Sequence, residues 1–375
     1  MKTVSILGST GSIGINSLKV YENLKSRFKL ETITANRSID KLIEQAKTYF
    51  PKRVIIGEES LFNDLKRELS SFPIEVLAGY NEIVSHAGES DVVLNGLVGY
   101  AGLRPSFEAI KNGKILALAN KESLVMAGEI LKREAKSSGA KILPVDSEHS
   151  AIFQSLNGED YSKIKKIVLT ASGGPFFKRD INLDEVTPKE ALKHPNWAMG
   201  QKISIDSATM INKGLELIEA VHLFDIDESK IDVLIHPQSI VHSMVEYIDS
   251  SFIAQLGIAD MRIPIQYALT YPERFPLNLP QLDLANIGNL QFFKPDNRRF
   301  PSIDLSREAI RAKGTMPVVL NVVNEASVYK FLDGKIKFTD IVKNCEKAME
   351  NHKNILDPDI ESVLELNCQL LEEFK

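Results

Sequence analysis

The chain is poor in several features that would point elsewhere. It has two cysteines, Cys345 and Cys368, in 375 residues, too few for the disulfide framework of a small secreted domain. Both fall in helical patterns near the C-terminus and are expected to pack rather than pair, which fits a reducing cytoplasm. No apolar run approaches the roughly 18 residues that cross a bilayer. Met1-Lys2-Thr3-Val4-Ser5-Ile6-Leu7 runs into glycines without the apolar core of a secretory signal, so no membrane partner is expected. Positive charge is not in excess. Lys+Arg number 45 against Asp+Glu 50, a formal charge of -5, which argues against nucleic acid as a partner. An anionic substrate would need a local basic pocket, because the net field works against it. No repeat or low-complexity stretch is visible, and tryptophan occurs once, as Trp197.

What remains is an ordinary globular composition, 43% hydrophobic and 25% charged, long enough for two or three domains. Up to residue 145, short β-branched runs alternate with helical patterns. Strands are expected at Val4-Leu7, Leu30-Ala35, Val54-Gly57, Asp91-Asn95, Ile115-Ala119 and Lys141-Val145, with helices such as Ile39-Tyr49, Ser60-Leu69, Arg104-Asn112 and Glu122-Ser137 between them. That alternation predicts an α/β fold, a doubly wound parallel sheet of Rossmann type. Beyond Ser150 the pattern changes. Runs at Ile164-Ser172, Ile231-His236, Ile240-Tyr247 and Phe252-Ile258 read as strands, the last three close enough for antiparallel pairing. This central region is expected to be α+β. Residues 271–301 hold five prolines and little periodicity, as a surface linker would. A C-terminal helical bundle follows. There Ile341, Cys345, Ala348, Met349 and His352 share one helical face, with His352 expected at the surface. Ile360, Val363, Leu364, Asn367, Leu370 and Leu371 share another, behind an Asp357-Pro358 start. The expected divisions are 1–146, 147–270, 271–301 and 302–375.

Gly8-Ser9-Thr10-Gly11-Ser12-Ile13-Gly14 follows the first strand at once and opens a helix. Glycines there let backbone N–H groups approach a pyrophosphate at a helix N-terminus. The second strand ends Thr34-Ala35-Asn36-Arg37-Ser38, without the acid that accepts a ribose 2′-hydroxyl in NAD-binding folds. Arg37 and Ser38 offer a guanidinium and a hydroxyl for a 2′-phosphate, so the cofactor is expected to be NADP(H); otherwise Arg37 is a solvated loop charge. Asn120, Lys121 and Glu122 follow the fifth expected strand. Asn120 and Glu122 bracket the nicotinamide with Lys121 toward the substrate, or Glu122 and Ser123 are simply first-turn helix residues.

Asp146-Ser147-Glu148 comes directly after the apolar run Ile142-Leu143-Pro144-Val145. In an extended segment the two carboxylates point the same way and repel, and a divalent cation with oxygen ligands would hold them there. The alternative is that they cap the helix begun at Ser150. His149 is a candidate for a supporting contact, whereas His236 and His242 sit in strands and read as structural. Ser172-Gly173-Gly174-Pro175 is a plausible anion nest. Ser207, Asn212, Lys213 and Glu216 fall within ten residues, with Asn212 and Lys213 one turn from Glu216; Glu219, three further, ranks below Glu216. The buried apolar character of this helix means its charges need partners. His194 to Gly200, around Trp197, reads as a mobile lid or as a packed loop.

Six motifs in this order, Gly8 to Gly14, Ala119 to Glu122, Val145 to His149, Ser172 to Phe176, His194 to Trp197 and Lys202 to Glu216, resemble the 1-deoxy-D-xylulose 5-phosphate reductoisomerases over essentially the whole chain. The resemblance implies one Mg²⁺ or Mn²⁺ held by Asp146, Glu148 and Glu216. It implies a sugar-phosphate substrate whose phosphate meets Ser172, Ser207, Asn212 and Lys213. Lys121, Ser147, Glu148 and His194 would contact that substrate, under a loop containing Trp197. NADPH would meet Thr10, Gly11, Ser12, Ile13, Asn36, Arg37, Ser38, Asn120, Glu122 and Gly200. Lys121, Glu148, His194 and Trp197 are the implied catalytic set, and a homodimer is implied. Without the resemblance, a metal-independent NADP dehydrogenase and a non-catalytic NADP sensor remain as rivals.

Overall fold

The computed structural model describes residues 1–194, 197 and 200–374. The chain folds as two compact units interleaved in sequence. One comprises Met1–Ser123, Glu129–Ser150 and Asp260–Leu279; the other Leu124–Gly128, Ala151–Ala259 and Pro280–Lys375. Among the described residues no helix is long and apolar enough to cross a membrane.

The first unit is built on strands β1 (Lys2–Leu7), β2 (Phe28–Ala35), β3 (Arg53–Ile56), β4 (Glu75–Ala78), β5 (Val92–Asn95), β6 (Ile115–Leu118) and β7 (Lys141–Pro144). Their order is β4-β3-β2-β1-β5-β6-β7, and every neighbouring pair is parallel. Sheets covered on both faces need continuous apolar strands, and β3 and β5 are buried along their whole length. The six expected strands are present, but β4 was not foreseen. Its Glu75-Val76-Leu77-Ala78 is a half-exposed edge strand, so burial left no apolar run to read. Helices α1 (Ser12–Leu24), α2 (Ile39–Tyr49), α3 (Phe62–Glu68), α4 (Tyr80–His86), α5 (Leu103–Lys111) and α6 (Lys121–Ser138) make the crossovers, and α7 (Ser147–Ser155) follows β7. The strand order reverses between β1 and β5, where doubly wound sheets bind ligands. The loops leaving those two strands touch: a Cβ on Gly8 would lie 2.9 Å from the Gly96 carbonyl oxygen.

The second unit holds a four-stranded sheet of β8 (Ile164–Ala171), β9 (Ile231–Ile235), β10 (Val241–Tyr247) and β11 (Phe252–Leu256), in the order β11-β10-β8-β9. β10 runs antiparallel to both β11 and β8, as a hairpin and its neighbour should. β9, expected to pair antiparallel with β10, instead lies parallel to β8. Nearness in sequence misled here. The long connection from β8, carrying α8 (Pro188–Ala191), α9 (Gln201–Ala208) and α10 (Ile211–Phe224), supplies the crossover that parallel pairing requires.

Arg262–Thr270 forms α11, which packs on α1 of the first unit. The 271–301 stretch is less of a free linker than its prolines suggested. It contains α12 (Leu284–Ile287), and Phe293 exchanges both backbone hydrogen bonds with Ile235 at the β9 edge. The helices α13 (Ser302–Ala312), α14 (Met316–Leu332), α15 (Asp340–Asn351) and α16 (Ile360–Glu373) then pack around α14, which is buried on most sides. Three expectations need correction. α16 begins at Ile360, because Asp359 rather than Asp357 accepts the capping hydrogen bond, from the Ser362 N–H. His352 is half-buried and bonded through Nε2 to Thr315 Oγ1 at 2.7 Å. Cys345 is buried, with burial pushing its thiol pKa up, whereas Cys368 is exposed and does not pack.

Candidate active site

In the first unit the glycine loop is fixed by the end of β2. Gly8 adopts φ +78° and donates its N–H to Thr34 Oγ1 (2.9 Å). Ser9 Oγ bonds Gln45 Oε1 (2.7 Å), and Gln45 Nε2 donates back to the Ser9 carbonyl (2.9 Å). Gly14 explains the spacing of the motif. A Cβ there would sit 2.3 Å from both the Gly8 oxygen and the Ser9 Cα, so only glycine lets α1 press against its own loop. Gly11 caps α1 without a side chain, and no acid occupies the first turn. Gly11 donates its own N–H to the Gly8 carbonyl (3.1 Å), and the first-turn N–H groups that follow lie at the positive end of the helix. Asn36, Arg37 and Ser38 are all exposed past β2. Arg37 Nε lies 3.2 Å from Glu58 Oε2, an exposed contact worth little on its own.

Asn120 caps α6. Its Oδ1 accepts the Ser123 N–H (3.1 Å), while Nδ2 donates to the carbonyls of Leu97 and Gly99 (2.9 Å each) and to Glu122 Oε2 (3.0 Å). Asn120 is thus the N-cap of α6, its amide committed to the protein itself, and Glu122 lies in the first turn. Lys121, next along, reaches Asp146.

The carboxylate pair is arranged differently from the extended geometry expected. β7 ends at Pro144 and α7 starts at Ser147, so Glu148 lies in a helical first turn. Asp146 accepts the Glu148 N–H on Oδ1 (3.2 Å), and its carbonyl accepts the Ser150 N–H (2.8 Å). Capping alone does not account for its surroundings. Lys121 Nζ is 3.1 Å from Asp146 Oδ2, and His149 Nδ1 is 3.2 Å from Oδ1. Both partners are buried. Glu148 Oε2 accepts from Ser147 Oγ (2.6 Å). Lys121, Asp146, Ser147, Glu148 and His149 thus gather at the carboxyl ends of β6 and β7, the edge where such sheets bind ligands.

In the second unit, α10 carries Asn212, Lys213 and Glu216. Glu216 is 1% exposed and accepts from both Asn212 Nδ2 and Lys213 Nζ. Glu219, one turn on, is buried as well. Ser207, at the end of α9, stands next to the Ser172-Gly173-Gly174 turn. Both glycines have positive φ, and a Cβ on Gly174 would meet the Ser207 carbonyl oxygen at 2.7 Å. Ser172 Oγ lies 2.9 Å from His194 Nε2, and the Trp197 N–H donates to His194 Nδ1 (3.0 Å). That donor makes Nδ1 the acceptor, so the neutral ring carries its proton on Nε2 and donates it to Ser172. Burial pushes the His194 pKa down to about 4, which keeps the ring neutral near pH 7. The Trp197 and His242 rings lie 6.3 Å apart. Gly200 is the N-cap of α9. Of the expected lid, Pro195, Asn196, Ala198 and Met199 lie outside the described residues. His236, expected in a strand, lies one residue past β9; its Nδ1 pairs with the Gln291 carbonyl (2.8 Å), and the ring stacks on Phe292.

Models of the family match most of the chain: 1-deoxy-D-xylulose 5-phosphate reductoisomerase over residues 4–128, its C-terminal domain over 142–224, and the DXP reductoisomerase C-terminal domain over 256–371. The 1-deoxy-D-xylulose 5-phosphate reductoisomerase of Acetivibrio thermocellus is 52% identical over 367 residues, 97% of this chain and 96% of that protein. The chain belongs to the 1-deoxy-D-xylulose 5-phosphate reductoisomerase family. The enzyme of Thermodesulfovibrio yellowstonii is 48% identical over 368 residues, 97% of this chain and 96% of that one. Among solved structures, the Zymomonas mobilis reductoisomerase in complex with NADPH has a TM-score of 0.94 at 42% identity, covering 100% of this chain and 98% of that chain. A DOX-P reductoisomerase in complex with NADPH, fosmidomycin and magnesium has a TM-score of 0.95 at 40% identity, covering 100% and 97%.

Sequence reasoning missed the residues that brace the candidate ones. Thr34 and Gln45 lock the glycine loop, and Asn324 and Ser302 brace the α9–α10 corner. Each acts from a distant element, and no local spacing announces such partners.

Proposed function

We propose that this protein converts 1-deoxy-D-xylulose 5-phosphate to 2-C-methyl-D-erythritol 4-phosphate, with NADPH and a divalent metal ion, on the non-mevalonate route to isoprenoid precursors. The observation that carries the reading is a buried carboxylate, Glu216, gripped by Asn212 and Lys213, in a chain that matches reductoisomerases over its whole length. Asp146, Glu148 and Glu216 hold one Mg²⁺ or Mn²⁺. The donor chemistry fits, since all three are hard carboxylate oxygens without a thiolate among them. When bound, the ion supplies Lewis acidity to the carbonyl and neighbouring hydroxyl of the substrate, and NADPH supplies the reducing equivalents.

The residues of the chain do the rest. Ser172, Ser207, Asn212 and Lys213 bind the phosphate, combining one fixed cation with neutral donors. Lys121, Ser147, Glu148 and neutral His194 orient the sugar, and Trp197 covers it, excluding water. Thr10, Gly11, Ser12 and Ile13 cradle the pyrophosphate of NADPH. Arg37 and Ser38 read the 2′-phosphate, Asn120 and Glu122 border the nicotinamide, and Asn36 and Gly200 add contacts to NADPH. In this scheme residues 1–146 serve the nucleotide, apart from Lys121 and Asp146, and 147–270 the chemistry, apart from Gly200, with 271–301 joining them to the helices of 302–375.

The deciding assay follows NADPH absorbance with 1-deoxy-D-xylulose 5-phosphate and Mn²⁺, with a chelator control. Oxidation that needs both sugar phosphate and metal is expected. Oxidation that ignores the chelator would indicate a plain dehydrogenase, and NADPH binding without turnover a sensor. For the cofactor, Arg37→Ala should weaken NADPH about tenfold, the scale of one charge-assisted contact, and leave NADH unchanged. Equal effects on both would mean that Arg37 does not read the 2′-phosphate.

We also infer a cytoplasmic homodimer. Support for the pairing comes from β11, an edge strand on which Phe252, Ile253 and Leu256 are 52%, 38% and 36% exposed. Bare apolar edges invite strand pairing across a two-fold axis. Light scattering should give twice the 41.8 kDa of one chain, and Ile253→Lys should give one. A monomeric parent protein would rule the dimer out.

A further inference from the structure

α9 contains a charge pair placed against its own helix. Lys202 stands in the first turn and Asp206 in the last, with Nζ and Oδ2 2.8 Å apart and side chains 8% and 1% exposed. A cation near the N-terminus and an anion near the C-terminus oppose the helix dipole, and lysine four residues before the acid is the weaker order for such a pair. Burial adds a desolvation cost, and buried pairs are often no more stable than apolar residues of the same volume. The pair is therefore poorly explained as a contribution to helix stability.

Its other contact shows a different use. Asn324 of α14, fully buried, donates from Nδ2 to Asp206 Oδ1 at 2.9 Å, so the carboxylate of Asp206 is held from both sides. The next residue is Ser207, whose carbonyl is packed against Gly174 of the Ser172 turn. Past it, Ser302 Oγ of α13 donates to the Thr209 carbonyl (2.6 Å), and a Cβ on Gly214 would collide with Ser306 Oγ. The α9–α10 corner, with Met210 in a left-handed conformation, is thus clamped by α13 and α14. Every residue assigned above to the substrate phosphate lies on that corner or against it.

We infer that Lys202, Asp206 and Asn324 are positioning residues for phosphate binding: through Asp206 the C-terminal helices fix the register of α9 and hence the place of Ser207. This deepens the proposed function and rests on its phosphate site. The pair directs a hydrogen bond that an apolar contact of equal volume cannot aim.

The test uses the full-length chain and three variants, Asn324→Leu, Asp206→Asn and the double Lys202→Met/Asp206→Leu. Two readouts are needed: the affinity for inorganic phosphate by calorimetry, and KM against kcat for the sugar phosphate. Asn324→Leu and the double variant should weaken phosphate and raise KM about tenfold, the scale of one hydrogen bond to a charged group. kcat should stay within about twofold, and NADPH affinity should not move. Asp206→Asn keeps the shape and an acceptor for Asn324, so it should recover most of the phosphate affinity lost in the double variant. Phosphate affinity and KM unchanged in Asn324→Leu and in the double variant, whatever happens to Tm, would overturn the inference. So would a parent protein that binds no phosphate. A parent that turns over no sugar phosphate, but whose phosphate affinity responds to the variants, would sink the functional reading and leave this one standing.

Discussion

Glu216→Gln is expected to abolish turnover, by on the order of a thousandfold or more, the scale seen when one preorganised electrostatic group is removed. The change keeps the shape of the side chain and deletes its charge. Glu216 is 1% exposed and takes hydrogen bonds from Asn212 and Lys213. A neutral amide there is a poor ligand for Mg²⁺ or Mn²⁺. It also removes the charge that Glu216 sets against the Lys213 ammonium, which is 4% exposed, a costly change for a buried cation. Two effects then fall on the proposed site: loss of a carboxylate assigned to the metal and displacement of the cation assigned to the phosphate. NADPH binding should persist, because the glycine loop is held by Thr34 and Gln45 within the first unit. Calorimetry with NADPH and a Mn²⁺ titration would separate these outcomes. A variant that binds Mn²⁺ as the parent does and retains activity within an order of magnitude would remove Glu216 from the ligand set.

Gly14→Ala should cost both cofactor and stability. The added methyl would lie 2.3 Å from the Gly8 oxygen and from the Ser9 Cα, and these are backbone atoms that cannot rotate aside. α1 must lift from its loop, at about 1–3 kcal/mol or more for forced overpacking. The same displacement turns the first-turn N–H groups away from the pyrophosphate, so NADPH affinity should fall about a hundredfold, equivalent to about two hydrogen bonds to a charged group. Gly11→Ala is the control. Its nearest contact would be at 3.5 Å, an ordinary distance, so the fold should survive with its Tm nearly unchanged. If the two alanines behave alike in thermal melts and NADPH titration, close approach at Gly14 is not what the motif is for.

The contrast between these glycines shows what a linear motif reveals. Gly8, Gly11 and Gly14 are equally visible in the sequence, and their spacing identified the loop. Which one bears the steric demand depends on where α1 meets its loop. The carboxylates behave alike. Asp146 and Glu148 were legible as a pair, but their extended geometry was not realised, because α7 begins at Ser147 and turns Glu148 into a helical first turn. β4 escaped notice since its edge position asks for no apolar run. β9 was paired with the wrong neighbour since a hydrophobic run records burial and not the identity of the strand beside it.

Sequence alone determined the parts governed by local rules: the parallel sheet from strand–helix alternation, the helical C-terminus from its periodicity, the nucleotide loop from its glycines, and the family from six ordered motifs. Tertiary structure decided what depends on meetings between distant segments. It placed Lys121 on Asp146, set Asn324 behind Asp206, and returned residues 260–279 to the first unit. Periodicity and capping act over a few residues and are written in neighbouring positions. Hydrogen bonds between elements a hundred residues apart arise only once the chain has packed.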